Sequence, residues 1–332
     1  MISIGRRVFY LLFSLVILSG AITCLACICK SDTVPSHTPP GFDSNLHGKK
    51  TKEKKLFLWK IEPGNKNGNK KQTSFILGSV HFFKKKFYPL DNDIEKAFAR
   101  SAVLAVETHV PPVQRLTVTM EKGIYKADQP QSLENQVSAK TYGLVQKKLE
   151  TFGMDIKLFK KFKPWYLAQT ISYMSIMARG FQPAHGLDVY FLEKARKAPD
   201  KTIIALEKLE EQIDFYDTLP PRVNEDYLLS SLDKTTGSEE NQGIEAIAAA
   251  WSRGDTREME RLLHREINKK PGLEMLYEKL IYERNRNMAA RISSLLKNGH
   301  KSYFFLVGAF HLVGKQGIIQ LLKDNGFRLH QL

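Results

Sequence analysis

Phe75-Ile76-Leu77-Gly78-Ser79-Val80-His81 and Phe304-Phe305-Leu306-Val307-Gly308-Ala309-Phe310-His311 are the two stretches on which the fold turns. Each is an apolar run of strand length that gives way to Gly-x-x-His. A glycine there bends the chain tightly as it leaves a sheet, and the imidazole three residues on can turn back over the strand tips. Two further apolar runs end in carboxylates: Val103-Leu104-Ala105-Val106 at Glu107, and Ile203-Ile204-Ala205-Leu206 at Glu207. In open α/β sheets, sites assemble just beyond the carboxyl ends of the strands. The four runs therefore predict His81, His311, Glu107 and Glu207 on one edge.

Around these runs the pattern is that of an α/β protein. Leu56 to Ile61 and Thr73 to Leu77 read as a hairpin across a polar stretch from Pro63 to Lys71, and Asp91 to Ala99 reads as a helix. Pro111-Pro112 leads into a long helical region. From Ile244 to Leu296 the helical period is strong: Ile244, Ile247, Ala248 and Trp251, then Met259, Leu262 and Leu263, then Leu273, Leu276, Tyr277, Leu280 and Ile281. The expectation is a central mixed sheet with strand-end Gly-x-x-His motifs and a large helical insertion within about residues 108–300, in one domain spanning 56–332.

Ahead of that domain, Arg6 and Arg7 precede an uncharged, largely apolar run from Val8 to Cys29. Residues 1–29 read as a secretion signal or, at about 20 apolar residues, an uncleaved membrane anchor. Cys24, Cys27 and Cys29 lie at its end, and Leu25-Ala26-Cys27 resembles a lipobox with Cys24 in place of the usual aliphatic residue. Residues 30–55 are rich in Pro, Ser, Gly and Lys and read as a flexible basic tether. The expected location is the cell envelope, as an anchored protein or lipoprotein, otherwise periplasmic or secreted.

Composition narrows the class. The 332 residues, 42% hydrophobic and 26% charged, exclude collagen-like, wholly disordered and polytopic membrane proteins. The 50 Lys+Arg against 35 Asp+Glu leave a net charge of +15, which favours anionic surroundings. Twelve Lys against Glu53 and Glu62 between Lys49 and Lys86 make an anionic membrane surface a candidate partner. Export argues against nucleic acid, and the aromatics of His81-Phe82-Phe83-Lys84-Lys85-Lys86-Phe87-Tyr88 then wall a pocket rather than stack on bases.

Imidazoles with carboxylates suit a divalent ion such as Zn, Mn or Co, and a site with two or three protein ligands leaves positions open for water and substrate. Arg284 falls within the apolar stripe of its helix, seven after Tyr277 and four before Met288, so it needs an anion inside, and Glu283 and Asn285 could reach the same edge. In His185-Gly186-Leu187-Asp188, Asp188 is most economically a helix N-cap, with a site role for His185 or Asp188 as the alternative. There is no Gly-x-Ser-x-Gly, phosphate loop, dinucleotide fingerprint or His-Glu-x-x-His.

Taken together, Leu58-Trp59-Lys60-Ile61, Leu77-Gly78-Ser79-Val80-His81, Val106-Glu107, Gly186-Leu187-Asp188, Leu206-Glu207-Lys208-Leu209-Glu210-Glu211-Gln212, Glu283-Arg284-Asn285 and Val307-Gly308-Ala309-Phe310-His311 resemble the TraB/GumN family, which includes the animal Tiki proteases. The resemblance implies an α/β core with a helical insertion. For the Tiki branch it implies divalent-metal-dependent peptide hydrolysis needing both Gly-x-x-His motifs and an acidic residue, here His81, His311 and Glu107. Ser79 stands where Thr is common, which keeps the hydroxyl.

The leading expectation is a membrane-tethered, exported metal-dependent hydrolase acting on a peptide or protein. His81 and His311 would hold the ion, Glu107 would ligate it or serve as general base, Arg284 would steady an anionic group or the developing oxyanion, and Glu207 is the reserve ligand. The alternatives are a non-catalytic protein that sequesters an extracellular peptide in the same pocket, and a basic membrane-surface adaptor.

Overall fold

The computed structural model describes residues 55–62, 72–232, 243–298 and 301–332. The leader and most of the tether, with all three cysteines, and the polar turn of the first hairpin lie outside the described residues. Six strands, β1 (Leu58–Ile61), β2 (Ser74–Ser79), β3 (Val103–Val106), β4 (Thr202–Ala205), β5 (Tyr303–Gly308) and β6 (Leu329–Gln331), form one mixed sheet. Their order is β4-β3-β5-β2-β1-β6. β2, β5, β3 and β4 are mutually parallel, and β1 lies antiparallel between β2 and β6.

The apolar runs fold this way because the parallel strands are covered on both faces, so nothing in them needs to alternate. Every residue of β2, β3 and β5 is buried, whereas β4, at the edge, is partly exposed. Phe304 in the central β5 is closed off from solvent and meets the rings of Phe98 and Phe191, 5.5 and 5.1 Å between centroids.

Helices fill the connections. Helix α1 (Asn92–Arg100) is capped by Asp91, whose side chain accepts from the Asp93 N–H, and it buries Ile94, Ala97 and Phe98 against the sheet. The expected insertion is two helical blocks, because β4 interrupts it. Helices α2 (Pro112–Gly123), α3 (Ala139–Glu150), α4 (Pro164–Ala178) and α5 (Leu187–Arg196) precede β4. After β4 come α6 (Leu209–Asp214), α7 (Pro221–Ser231), α8 (Ile244–Ser252), α9 (Thr256–Ile267), α10 (Leu273–Tyr277) and α11 (Arg284–Asn298), with α12 (Ile318–Asp324) between β5 and β6.

Helices α8 to α11 put the apolar period read from the sequence into the core: Ala248, Trp251, Met259, Leu262, Leu263, Leu273, Leu276 and Ile281 are all buried. Between α10 and α11 the helix widens to π geometry over Glu278–Glu283, a distortion often met at functional sites, and Arg284 follows it directly. Phe83 is buried, stacked on Phe87 and edge-on to Trp251, while Phe82 faces Tyr173. Among the described residues no helix is long and apolar enough to cross a membrane.

Candidate active site

The four parallel strands end side by side, and each end delivers one of the predicted groups. Ladder pairing of β3 with β4 continues past their ends, with Leu206 N donating to Val106 O and Glu207 N to Glu107 O. This sets the Glu107 and Glu207 carboxylates next to one another. Two like charges in a dry place need a cation, and Arg284 fills that role. Its Nη2 donates to Glu107 Oε2 at 2.8 Å and Glu207 Oε1 at 2.5 Å, and its Nε to Glu207 Oε2 at 3.0 Å. Nη1 donates to the Leu280 carbonyl on the widened turn. Gln212 Nε2 adds a donor to Glu207 Oε1 at 2.7 Å. The inward arginine thus meets carboxylates of the protein itself.

Glu107 Oε1, facing the other way, accepts from Gly308 N–H at 2.6 Å and lies 3.8 Å from His311 Nε2. His311 is 5% exposed, and its Nδ1 is 2.6 Å from Asn285 Oδ1. His81 reaches the same place from the end of β2. Its Nδ1 pairs with Asp188. A Cβ on Gly308 would sit 3.2 Å from Glu107 Oε1, 3.3 Å from His311 Cδ2 and 3.9 Å from His81 Nε2. Gly308 therefore floors a space shared by both imidazoles and the carboxylate.

That changes the reason for the glycines. The expected tight bend is absent: Gly78 lies within β2, and Gly308, the last residue of β5, has φ −53° and ψ 139°, open to any residue. Both are glycine for space, since a Cβ on Gly78 would come within 2.4 Å of the Phe57 ring. Gly186 is the same kind of residue, because its Cβ would lie 2.3 Å from the His81 carbonyl oxygen. Close approach there, with Leu187 N donating to Val80 O, docks the start of α5 against the His81 loop.

Asp188 is consequently no N-cap. Gly186 occupies that position, and the Asp188 carboxylate, in the first helical turn, turns to His81. His185 contributes its carbonyl, which accepts from Tyr88 O–H. Of the residues flanking Arg284, Asn285 reaches the site, whereas Glu283 pairs with Lys279 and is 44% exposed. Glu207, the expected reserve ligand, has both oxygens on Arg284. Sequence reading missed Gln212 and the orienting role of Asn285. The one signal for either was its place within a run already singled out for a neighbour.

Electrostatics separates the two imidazoles. The Asp188 carboxylate raises His81 to about 9 against the opposing effect of burial, although the side chain is 62% exposed and water screens part of the attraction. Burial first, then the Arg284 charge, depresses His311 to about 3 and keeps it neutral. Burial would raise Glu107, but Arg284, both imidazoles and the Gly308 N–H hold it well below the usual carboxylate range. Burial likewise opposes ionisation of Asp188, and His81 overrides it. The buried Ser79 Oγ has no hydrogen-bond partner among the described residues.

These shifts act on stability with opposite signs. The folded state holds the His81 proton up to about pH 9, while an unfolded histidine releases it near 6.5, so that contribution is complete below 6.5 and is lost as pH rises toward 9. His311 refuses a proton until about pH 3, so its contribution is complete above 6.5 and is lost as pH falls. The Tm of the metal-free protein is expected to peak near pH 6.5, and Asp188→Asn to flatten the alkaline limb. Thermal melts from pH 4 to 9.5 check this, and an alkaline limb unchanged in the variant would count against the pairing.

In kind, the donors fit a divalent ion: two imidazoles and a carboxylate, each with an atom within 4 Å of the point a Gly308 Cβ would occupy. Among the described residues no three His, Cys, Asp or Glu side chains are drawn together as a set that could hold one.

Fold and cluster together define the class, an α/β protein with a polar, part-buried side-chain cluster at the carboxyl edge of four parallel strands. The model of the TraB/PrgY/gumN family matches residues 57–331, and the chain belongs to that family. Local similarity extends to animal proteins. It is 45% identical over 53 residues to Metalloprotease TIKI2 of Xenopus tropicalis, covering 16% of this chain and 10% of that protein. It is 37% identical over 60 residues to the Metalloprotease TIKI homolog of Amphimedon queenslandica, covering 18% and 12%. The matched stretch thus spans about a tenth of these relatives' length. No solved structure matches the chain.

Proposed function

We propose that the protein is a metal-dependent hydrolase of peptide bonds, exported and held at a membrane by its N-terminal stretch. One observation carries this reading: both Gly-x-x-His imidazoles, 230 residues apart in the chain, share one small space with the Glu107 carboxylate. Family membership and the relatives named metalloproteases support it. Residues 1–29 and the basic run that ends at Lys84, Lys85 and Lys86 support the tethering, with an anionic membrane surface as a partner.

His81, His311 and Glu107 would hold the ion, Mn, Co or Zn. Such an ion, when bound, supplies a Lewis acid that polarises a carbonyl and acidifies water. The chain's own residues prepare the place. Glu107 stays ionised at neutral pH because Arg284 sits on its Oε2, and Gly308 N–H turns its Oε1 toward the shared space, where it can ligate or take a proton from water. Arg284, with Nε and Nη2 on Glu107 and Glu207 and Nη1 on a carbonyl, acts through Glu107, and Glu207 holds Arg284 in place. Asp188 orients His81 as carboxylates orient metal-binding histidines elsewhere.

Protein lacking residues 1–29 should bind Mn, Co or Zn near stoichiometrically, and His81→Ala and His311→Ala should each weaken binding at least about tenfold. Binding equal to the parent in both variants overturns the proposal. The sequestering reading is favoured by the absence, among the described residues, of three donors already set to hold an ion. It predicts peptide binding that ignores a chelator, with no cleavage product by mass spectrometry.

A further inference from the structure

His311 is held by the side chain of Asn285, which is completely buried and has both ends engaged: Nδ2 donates to the Gln316 carbonyl at 2.8 Å, and Oδ1 lies 2.6 Å from His311 Nδ1. The Gln316 carbonyl can only accept, so the amide cannot be turned round. Oδ1 is therefore the group facing the imidazole, and it too can only accept. The proton on that side must sit on His311 Nδ1, leaving Nε2 an unprotonated acceptor 3.8 Å from Glu107 Oε1. Two acceptors thus confront each other with no proton between them, an arrangement that calls for a positive charge or an outside donor.

We infer that Asn285 is a positioning residue that locks His311 in its Nδ1–H tautomer through the Gln316 carbonyl and so keeps Nε2 bare toward Glu107. Without it, the imidazole proton is free to move to Nε2 and donate to Glu107, closing the space by an internal hydrogen bond. The asymmetry with His81, which leans on a carboxylate, follows from the setting. His311 sits beside Arg284 and Glu107 in a closed interior, where a neutral amide fixes the ring without adding a third buried carboxylate. The inference deepens the hydrolase reading and rests on it only for its metal arm.

The test is imidazole 15N–1H correlation on 15N-labelled, metal-free protein near neutral pH, paired with Co2+ titration followed by visible absorbance. The parent is expected to show His311 as Nδ1–H. Asn285→Ala should shift it toward Nε2–H and weaken Co2+ binding by about 10–100-fold. Asn285→Asp, which keeps an acceptor toward Nδ1, should retain the tautomer. An Nε2–H imidazole in the parent overturns the inference, as does an Asn285→Ala variant with parental tautomer and Co2+ affinity. Should Asn285→Ala fail to fold, the parental tautomer decides alone. A parent that takes up no Co2+ but shows Nδ1–H removes the hydrolase reading and leaves this one standing.

Discussion

Arg284→Met is expected to cost about 3–5 kcal/mol of unfolding free energy, the range for removing one partner of a buried ion pair. The side chains of Arg284, Glu107 and Glu207 are 16%, 14% and 7% exposed, so water cannot replace the guanidinium. Methionine fills much of the volume. What is lost is charge compensation: two carboxylates set side by side by the Glu207 N to Glu107 O hydrogen bond would face each other alone. One must then take up a proton, so the deficit relative to the parent should shrink as pH is lowered. Urea unfolding at pH 8 and pH 5 measures both effects. Adding Glu207→Gln should restore part of the loss. A deficit below about 1 kcal/mol, or one the second change does not touch, would show that Arg284 is not the keystone of the carboxylate pair.

Gly308→Ala should do the reverse, leaving the fold and removing the proposed activity. The backbone there is ordinary extended chain, and alanine reduces the freedom of the unfolded state, worth about 0.4–1 kcal/mol. Crowding at 3.2 and 3.3 Å from Glu107 and His311 offsets that gain, so the net stability change should stay within about 1 kcal/mol. The methyl group, however, occupies the space common to all three donors, whereas a histidine deletion removes one of them and leaves two. Metal uptake and peptide cleavage are therefore expected to fall by more than in either histidine variant, below detection in a calorimetric titration. A Gly308→Ala protein that binds metal like the parent would place the ion, and the chemistry, elsewhere.

The strands and their terminal groups were legible because an apolar run bounded by glycine or a charge is a local signal. Arg284 was legible because the helical period fixes a direction. Other features depend on what lies across the fold. Asp188 carries the residue type and position of a helix cap, and nothing local says that the His81 loop packs on Gly186 and draws the carboxylate away. The motif glycines suggested a bend, but what they relieve is contact with Phe57 in one case and the donor cluster in the other. β6 is three residues long, pairs with β1 alone, and has no apolar run to announce it. Asn285 was singled out as a neighbour of Arg284, but its orienting bond to a histidine 26 residues away is invisible to periodicity.

The pairing of the first strand with the last has a practical side. Leu56 N donates to Leu332 O, and Leu332 N to Leu58 O, which lies opposite Leu77 near the outgoing end of β2. Both extremities of the domain therefore emerge on the rim that carries the histidines. An affinity tag, a surface linkage or a bulky fusion partner at either extremity would be delivered to the same edge of the sheet as the cluster rather than to the opposite edge. Assays on immobilised protein should accordingly be anchored through an exposed helix such as α3.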